Sequence, residues 1–173
     1  MKQLFLLRHG DAEPISSQFQ KDKERRLSHL GAKEALTMGK IFDDKNIKLN
    51  KIICSEALRT QQTAVIFAKH INFPTSKLEI SSKLYHANVN EIIKLIEAQD
   101  DDDNNILIIG HNPALSIASE NLSQHSAGSL PTCGLTNLEL SLESWQHIIP
   151  GIFEFKKLEY PSMYPDVFNQ QKI

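Results

Sequence analysis

Apolar residues in this chain fall into short runs, and the spacing inside the runs switches repeatedly between two periods. Gln3 to Leu7, Lys51 to Cys54 and Ile106 to Ile109 are brief, nearly continuous apolar stretches, the pattern of strands buried on both faces of a sheet. Leu78 to Ile80 reads as a shorter strand of the same kind. Between these runs the period lengthens to that of helices. Ser28 is placed to cap a helix that continues through Ala32, Ala35, Leu36 and Met38 to Phe42. Ala57, Leu58, Thr60, Ala64, Val65 and Ala68 trace one side of a second helix from about Glu56 to His70. Ile92, Ile93, Leu95 and Ile96 mark a third over Asn90 to Ala98, and a fourth begins at Pro113, in the first turn, where no amide donor is missed.

Strands alternating with helices predict β-α units and a largely parallel sheet. After Gly128 the pattern changes, and Thr136 to Leu142 and Gly151 to Phe155 both alternate with period two. Two such neighbouring runs predict an antiparallel pair at the sheet edge. The fold class expected is therefore α/β, a three-layer α/β/α sandwich whose mostly parallel sheet has an antiparallel edge. The Asp100 to Asn105 run reads as a solvated turn, without the regular oxygen spacing of a calcium loop. The tail from Tyr160 to Ile173, with Pro161 and Pro165, reads as irregular.

Composition narrows the function classes. A length of 173 residues suits one domain spanning residues 1–173. The net charge of -2 comes from 19 basic and 21 acidic residues mixed along the chain, so there is no basic face for nucleic acid and no polybasic block for a membrane surface. The apolar stretch after Met1 is too short for a signal peptide, and no run reaches membrane-spanning length, which points to a cytoplasmic protein. Cys54 and Cys133 are too few for a disulfide framework and lack metal-ligand spacing; both read as buried apolar thiols.

Polar residues collect where three of the predicted strands end. The first ends in Arg8-His9-Gly10; the second in Cys54-Ser55, with Arg59 one turn into the next helix; the Ile106 to Ile109 strand ends in Gly110-His111-Asn112. Side by side and parallel, these ends would bring two imidazoles and two guanidiniums into one crevice, where open α/β sheets bind ligands. Phosphoryl transfer suits such a set. Arginines neutralise and orient a phosphate through paired donors. An imidazole with one nitrogen fixed by a backbone acceptor presents the other as a nucleophile. A second imidazole, if protonated, stabilises charge on the equatorial oxygens.

Taken together, Arg8-His9-Gly10, the Ser55 to Ala64 segment and Gly110-His111-Asn112-Pro113 resemble the histidine phosphatase superfamily, the group that includes the phosphoglycerate mutases. The segment from Asp22 to Gly31 is similar to the short, SixA-type phosphohistidine phosphatase branch, with Arg26 where that branch has proline and Ser28 where it has threonine. The resemblance extends from Lys2 to Phe155. It implies a phosphoglycerate mutase-like fold, with no cofactor and no metal. It also implies that His9 is the phosphorylated nucleophile, that Arg8, Arg59 and His111 complete the phosphate pocket, and that Arg25, beside Arg26, is a fifth contact. Ser55 and Asn112 are candidates for hydrogen bonding at the pocket rim; His86 falls where the family's rim would be but reads first as a surface or loop residue.

Many members of that superfamily carry a glutamate as general acid after the third strand. Here Ser81 to Asn88 contains no carboxylate, and none of Asp11, Glu13, Glu79 and Glu91 matches the position. An alkoxide leaving group needs a proton as its bond breaks, whereas imidazole, with a conjugate-acid pKa of about 6.5, leaves readily without one. Only 52 positions separate Arg59 from His111, little room for an inserted lid. The expected activity is therefore metal-independent removal of phosphate from phosphohistidine on a partner protein. The alternatives are a phosphomonoesterase or mutase for a small phosphorylated metabolite, and a non-catalytic phosphate-binding module.

Overall fold

Strand and helix alternate through residues 1–172, which the computed structural model describes. In chain order the elements are β1 (Lys2–Arg8), α1 (His29–Asp43), β2 (Lys51–Ser55), α2 (Leu58–His70), β3 (Glu79–Ser81), α3 (Val89–Glu97), β4 (Asn105–Gly110), α4 (Ala114–Ser123), β5 (Leu135–Leu140), β6 (Glu154–Glu159) and α5 (Pro165–Gln170). The strands form one sheet in the order β3-β2-β4-β1-β5-β6. β1, β2, β3 and β4 pair in parallel, and β5 lies antiparallel to both β1 and β6.

The parallel strands are apolar because both faces of the sheet are covered. Leu4, Leu6, Ile106 and Ile108 face α3 and α4, with Ile92, Ile96, Leu115 and Leu122 against them. Phe5, Leu7, Leu107 and Ile109 face α1 and α2, with Met38, Phe42, Ala64 and Phe67 against them. Helices therefore sandwich the sheet, the three-layer arrangement expected. Burying each such aliphatic side chain contributes about 1.5–3 kcal/mol. Cys54 and Cys133 are buried as free thiols within the second cluster.

Local chemistry sets where the helices begin. The Ser28 hydroxyl accepts from the Gly31 amide at 3.0 Å and starts α1. Asn88 and Glu91 close a reciprocal capping box, so α3 starts at Val89, ahead of the Asn90 expected. Pro113 is the residue before α4 and not part of its first turn.

Two further expectations need correction. The final strand is Glu154–Glu159 and not Gly151 to Phe155: Gly151 adopts φ 78° in the preceding turn, and Phe153 enters the core. The register between β5 and β6 shifts at Asn137/Leu138, which allows Phe155 and Leu158 to pack against one cluster although they are an odd number of residues apart. That bulge breaks the period-two signal. The tail is also not irregular, since a short 3-10 turn at Pro161–Met163 leads into α5, each with proline in its opening turn. Ile173 lies outside the described residues. The acidic turn is solvated as expected, with Asp100, Asp101 and Asp102 exposed, and it also holds the neighbouring loop. The Asp101 carboxylate accepts from the Trp145 amide at 2.8 Å, its carbonyl accepts from Lys2 at 2.6 Å, and the Trp145 indole donates to the Asp103 carbonyl at 2.8 Å.

The chain leaving β1 is pressed onto the first turn of α1. A methyl group on Gly10 would lie 2.6 Å from the Gly31 carbonyl oxygen, and one on Gly31 would lie 2.0 Å from that of Asp11. These are backbone obstacles that no rotamer change relieves. Gly31→Ala is expected to cost about 1–3 kcal/mol of stability. In a chain of this size each kcal/mol lowers the melting temperature by about 2–4 °C. An unchanged melting temperature in a calorimetric scan would contradict this packing.

Candidate active site

Register brings the polar strand ends together. β4 lies between β1 and β2, and Arg8 sits opposite Gly110, so His9 and His111 leave adjacent strands at the same level. The His9 amide continues the ladder by donating to the Gly110 carbonyl at 3.1 Å. Cys54 pairs with Ile109, which sets Ser55 beside His111, and α2 then carries Arg59 over the same corner. The two imidazole rings meet edge to face with centroids 5.2 Å apart.

Hydrogen-bond partners assign the proton positions. His9 Nδ1 lies 2.7 Å from the Gly10 carbonyl, an acceptor only, so Nδ1 carries the hydrogen. Its Nε2 therefore keeps a lone pair, which accepts from Arg59 Nε at 3.3 Å. Arg59 Nη2 reaches His111 Nδ1 at 3.4 Å, and His111 Nε2 lies 2.8 Å from the Ser55 hydroxyl. The Gly10 amide is held by Thr63, one turn beyond Arg59, at 3.1 Å. Arg8 donates from Nη1 to the Leu130 carbonyl at 2.8 Å, while its Nε is buried with no partner among the described residues.

Arg59 is 6% exposed and carries a second group of contacts that the sequence pattern did not reveal. Its Nη1 donates to the Asp22 carbonyl at 2.8 Å and its Nη2 to Asp22 Oδ2 at 3.0 Å. The same carboxylate oxygen accepts from the Tyr85 hydroxyl at 2.8 Å, and Oδ1 accepts from Arg25 at 3.2 Å. Asp22 and Tyr85 are thus parts of the cluster. The only sequence hint was the charge pattern Asp22-Lys23-Glu24-Arg25 in the loop after β1, which by itself reads as a solvated turn.

The other expected residues divide clearly. Arg25, not Arg26, joins the cluster: Arg25 holds Asp22 and the carbonyls of Glu13 and Ala12, whereas Arg26 is exposed. Ser55 is fully buried and its hydroxyl is used by His111 and the Ala57 amide, so it orients a ring and does not sit at the rim. Asn112 also turns away from a rim role, because its side chain bonds Ser116, Ser129 and Leu130 and fixes the loop that receives Arg8. Asp11 binds the Ser28 hydroxyl, Glu79 pairs with Lys51, and Glu91 caps α3, which leaves these carboxylates committed elsewhere. Glu13 contributes its carbonyl to Arg25. His86 is exposed, with its ring 4.0 Å from that of Tyr85. Between α2 and β4 the chain makes only β3, two 3-10 turns (Thr75–Lys77 and Ser82–Leu84) and α3, so no lid is inserted among the described residues.

The electrostatics follow from crowding. Burial is the main force that brings the His9 pKa down to about 4, and the charges of Arg59, Arg8 and Arg25 push the same way against the supporting Gly10 carbonyl. Burial, then His9 and Arg59, bring His111 down to about 3. Both rings are therefore neutral near pH 7, and His111 does not enter as the protonated group that the sequence argument had conditionally assigned. A dianionic phosphoryl group placed between them would raise both values. Partial burial pushes Asp22 up, but hydrogen bonds from Tyr85, Arg59 and Arg25 outweigh it and bring the carboxyl to about 2.

Unfolded histidines take up protons near 6.5, whereas the folded pocket resists until about 4 and 3. Stability contributed by these two rings is therefore intact above pH 6.5 and is lost as pH falls through that window. Ring Cε1–H resonances of His9 and His111 should stay fixed by NMR down to about pH 5; a midpoint near 6.5 for either would contradict the assignment.

Comparison with known proteins agrees with this geometry. The sequence model described as "Histidine phosphatase superfamily (branch 1)" matches residues 4–88, which include Arg8, His9, Asp22, Arg25, Arg59 and Tyr85. An uncharacterized protein of Mycobacterium leprae (strain TN) is 28% identical over 136 residues, covering 73% of this chain and 81% of that one. The structure of the protein histidine phosphatase SixA complexed with tungstate superposes with a TM-score of 0.79 at 22% identity, over 93% of this chain and 98% of that one. A mycobacterial glucosyl-3-phosphoglycerate phosphatase shares the fold with a TM-score of 0.64 at 14% identity, over 92% of this chain and 97% of that one. With its motifs on adjacent strand ends, the chain has a phosphoglycerate mutase-like fold, and its residues 4–88 match the histidine phosphatase superfamily.

Proposed function

We propose that the chain is a phosphatase that works through phosphorylated His9 and that its substrate is phosphohistidine on a partner protein. One observation carries this reading. His9 Nε2 offers a lone pair at the centre of an arginine-rich pocket while Nδ1–H is tied to the Gly10 carbonyl, and no carboxyl group in the cluster is in a state to donate a proton.

In the first step the Nε2 lone pair of His9 attacks phosphorus, and the bond from phosphorus to the substrate nitrogen breaks with its electrons returning to that nitrogen. Arg8, Arg25 and Arg59 offset the charge on the phosphoryl oxygens, and His111, positioned by Ser55, lies beside the transferring group. In the second step water adds to phosphorus, and the bond to His9 returns its electrons to Nε2. Because Nδ1–H stays on the Gly10 carbonyl throughout, the phosphorylated ring is already cationic and departs neutral, releasing dihydrogen phosphate. Every role belongs to a protein group, so the scheme uses no metal ion.

The lack of an inserted lid supports a protein-borne substrate, since a histidine on another surface can reach the opening. A kinetic panel tests the reading. Phosphohistidine protein should give the highest kcat/KM when compared with phosphoglycerates, sugar phosphates and nucleotides, and EDTA should leave that rate unchanged. A preference for one small metabolite would transfer the assignment to a phosphomonoesterase. Phosphate binding without turnover of any phosphoramidate would make the chain a binding module. Loss of activity in EDTA that a divalent metal restores would overturn the metal-independent scheme.

A further inference from the structure

The Asp22 carboxylate occupies donors that a phosphoryl group also needs. Arg59 and Arg25 both point at it, at 3.0 Å and 3.2 Å. A dianion entering the pocket shares these two guanidiniums with a fixed negative charge, which works against binding of phosphate alone. The unfavourable contact turns favourable when the phosphoryl group arrives attached to something positive.

Phosphohistidine is such a substrate. When the ring nitrogen that does not bear phosphorus holds a proton, the ring is cationic and presents an N–H. Asp22 is suited to meet it: its side chain remains 42% exposed although Arg59 holds it firmly. Of about four lone-pair directions on an ionised carboxylate, Arg59, Tyr85 and Arg25 take three. Through Arg59 it is one guanidinium away from the His9 nitrogen that attacks. Asp22 cannot act as the missing general acid, because its partners keep it ionised. It can act as an acceptor.

Resting on the phosphohistidine reading above, we propose that Asp22 is the specificity-determining residue of this pocket: its carboxylate accepts the ring N–H of the bound phosphohistidine and disfavours phosphoryl groups that bring no such donor. The chemistry balances without proton transfer. The P–N bond breaks, its electrons return to the ring nitrogen, and the protonated ring leaves as neutral imidazole. Asp22 thus does for the leaving ring what the Gly10 carbonyl does for His9, holding the proton on the nitrogen remote from phosphorus.

Asp22→Asn keeps the shape while removing the charge and replacing one of the two acceptor oxygens by a donor, and it tests both halves of the proposal. The ratio of kcat/KM for phosphohistidine protein to that for an aryl phosphate, whose leaving group needs no proton, should fall at least about tenfold, the range of one charge-assisted hydrogen bond. In calorimetric titration with inorganic phosphate the same variant should bind at least about threefold more tightly than wild type, from relief of like-charge repulsion. A merely structural role for Asp22 would lower both substrates together and weaken phosphate binding. An unchanged substrate ratio would overturn the leaving-group half. Equal or weaker phosphate binding by the variant would overturn the shared-anion half, whatever the turnover. Wild-type protein that turns over neither substrate would remove the phosphatase reading and the leaving-group half with it, and the phosphate titration would then decide the rest.

Discussion

The parallel register of three neighbouring strands is the constraint on which the rest of the site depends. Arg8 opposite Gly110 and Cys54 opposite Ile109 fix the level at which β1, β2 and β4 end, and the side chains beyond those ends have one place to meet. A slip of one residue would carry His9 to the other face of the sheet. The two cores prevent that slip, because Leu4, Leu6, Ile106 and Ile108 belong to one face and Phe5, Leu7, Leu107 and Ile109 to the other. Burial energy in the sheet is thereby converted into positional precision at its edge. Gly10 and Gly31 extend that precision into the loop, where the backbones approach too closely for any side chain.

What the register assembles is electrostatically one-sided. Arg59 contacts both imidazoles, which burial keeps neutral, Arg8 and Arg25 add positive charge near His9, and the Asp22 carboxylate is hydrogen-bonded to Arg59 and Arg25. Neutral His9 keeps at ordinary pH the lone pair that the proposed attack uses, at the cost of a lower basicity than free imidazole. In the proposed phosphatase the arginines attract an anion, and Asp22 limits which anion is accepted. Specificity of this kind comes from a repulsive element as much as from an attractive one.

Much of this was legible in the sequence because the strands are apolar and continuous, so their polar ends stand out sharply. The proximity of His9, Arg59 and His111 follows from strand ends plus one helical turn and requires only that β1, β2 and β4 be neighbours, while Arg8, at the same strand end, turns its guanidinium to the Leu130 carbonyl. Ser55 reads as a rim residue from the sequence, whereas it ends β2 fully buried with its hydroxyl on His111 and the Ala57 amide. Asp22 and Tyr85 were not legible. Asp22 sits in a charged loop whose path depends on tertiary contacts, and Tyr85 comes from a 3-10 turn with no periodic signal. The parity change at the β6 bulge and the proline-initiated α5 were hidden for related reasons, since neither leaves a regular hydrophobic period.

The central claim is that His9 itself carries the phosphoryl group. Wild-type protein mixed with a radiolabelled phosphohistidine donor and quenched within one turnover should retain an acid-labile phosphate. Mass spectrometry should place it on His9, and His9→Ala should show neither the label nor the turnover. Label on another residue, or full turnover by His9→Ala, would contradict the account.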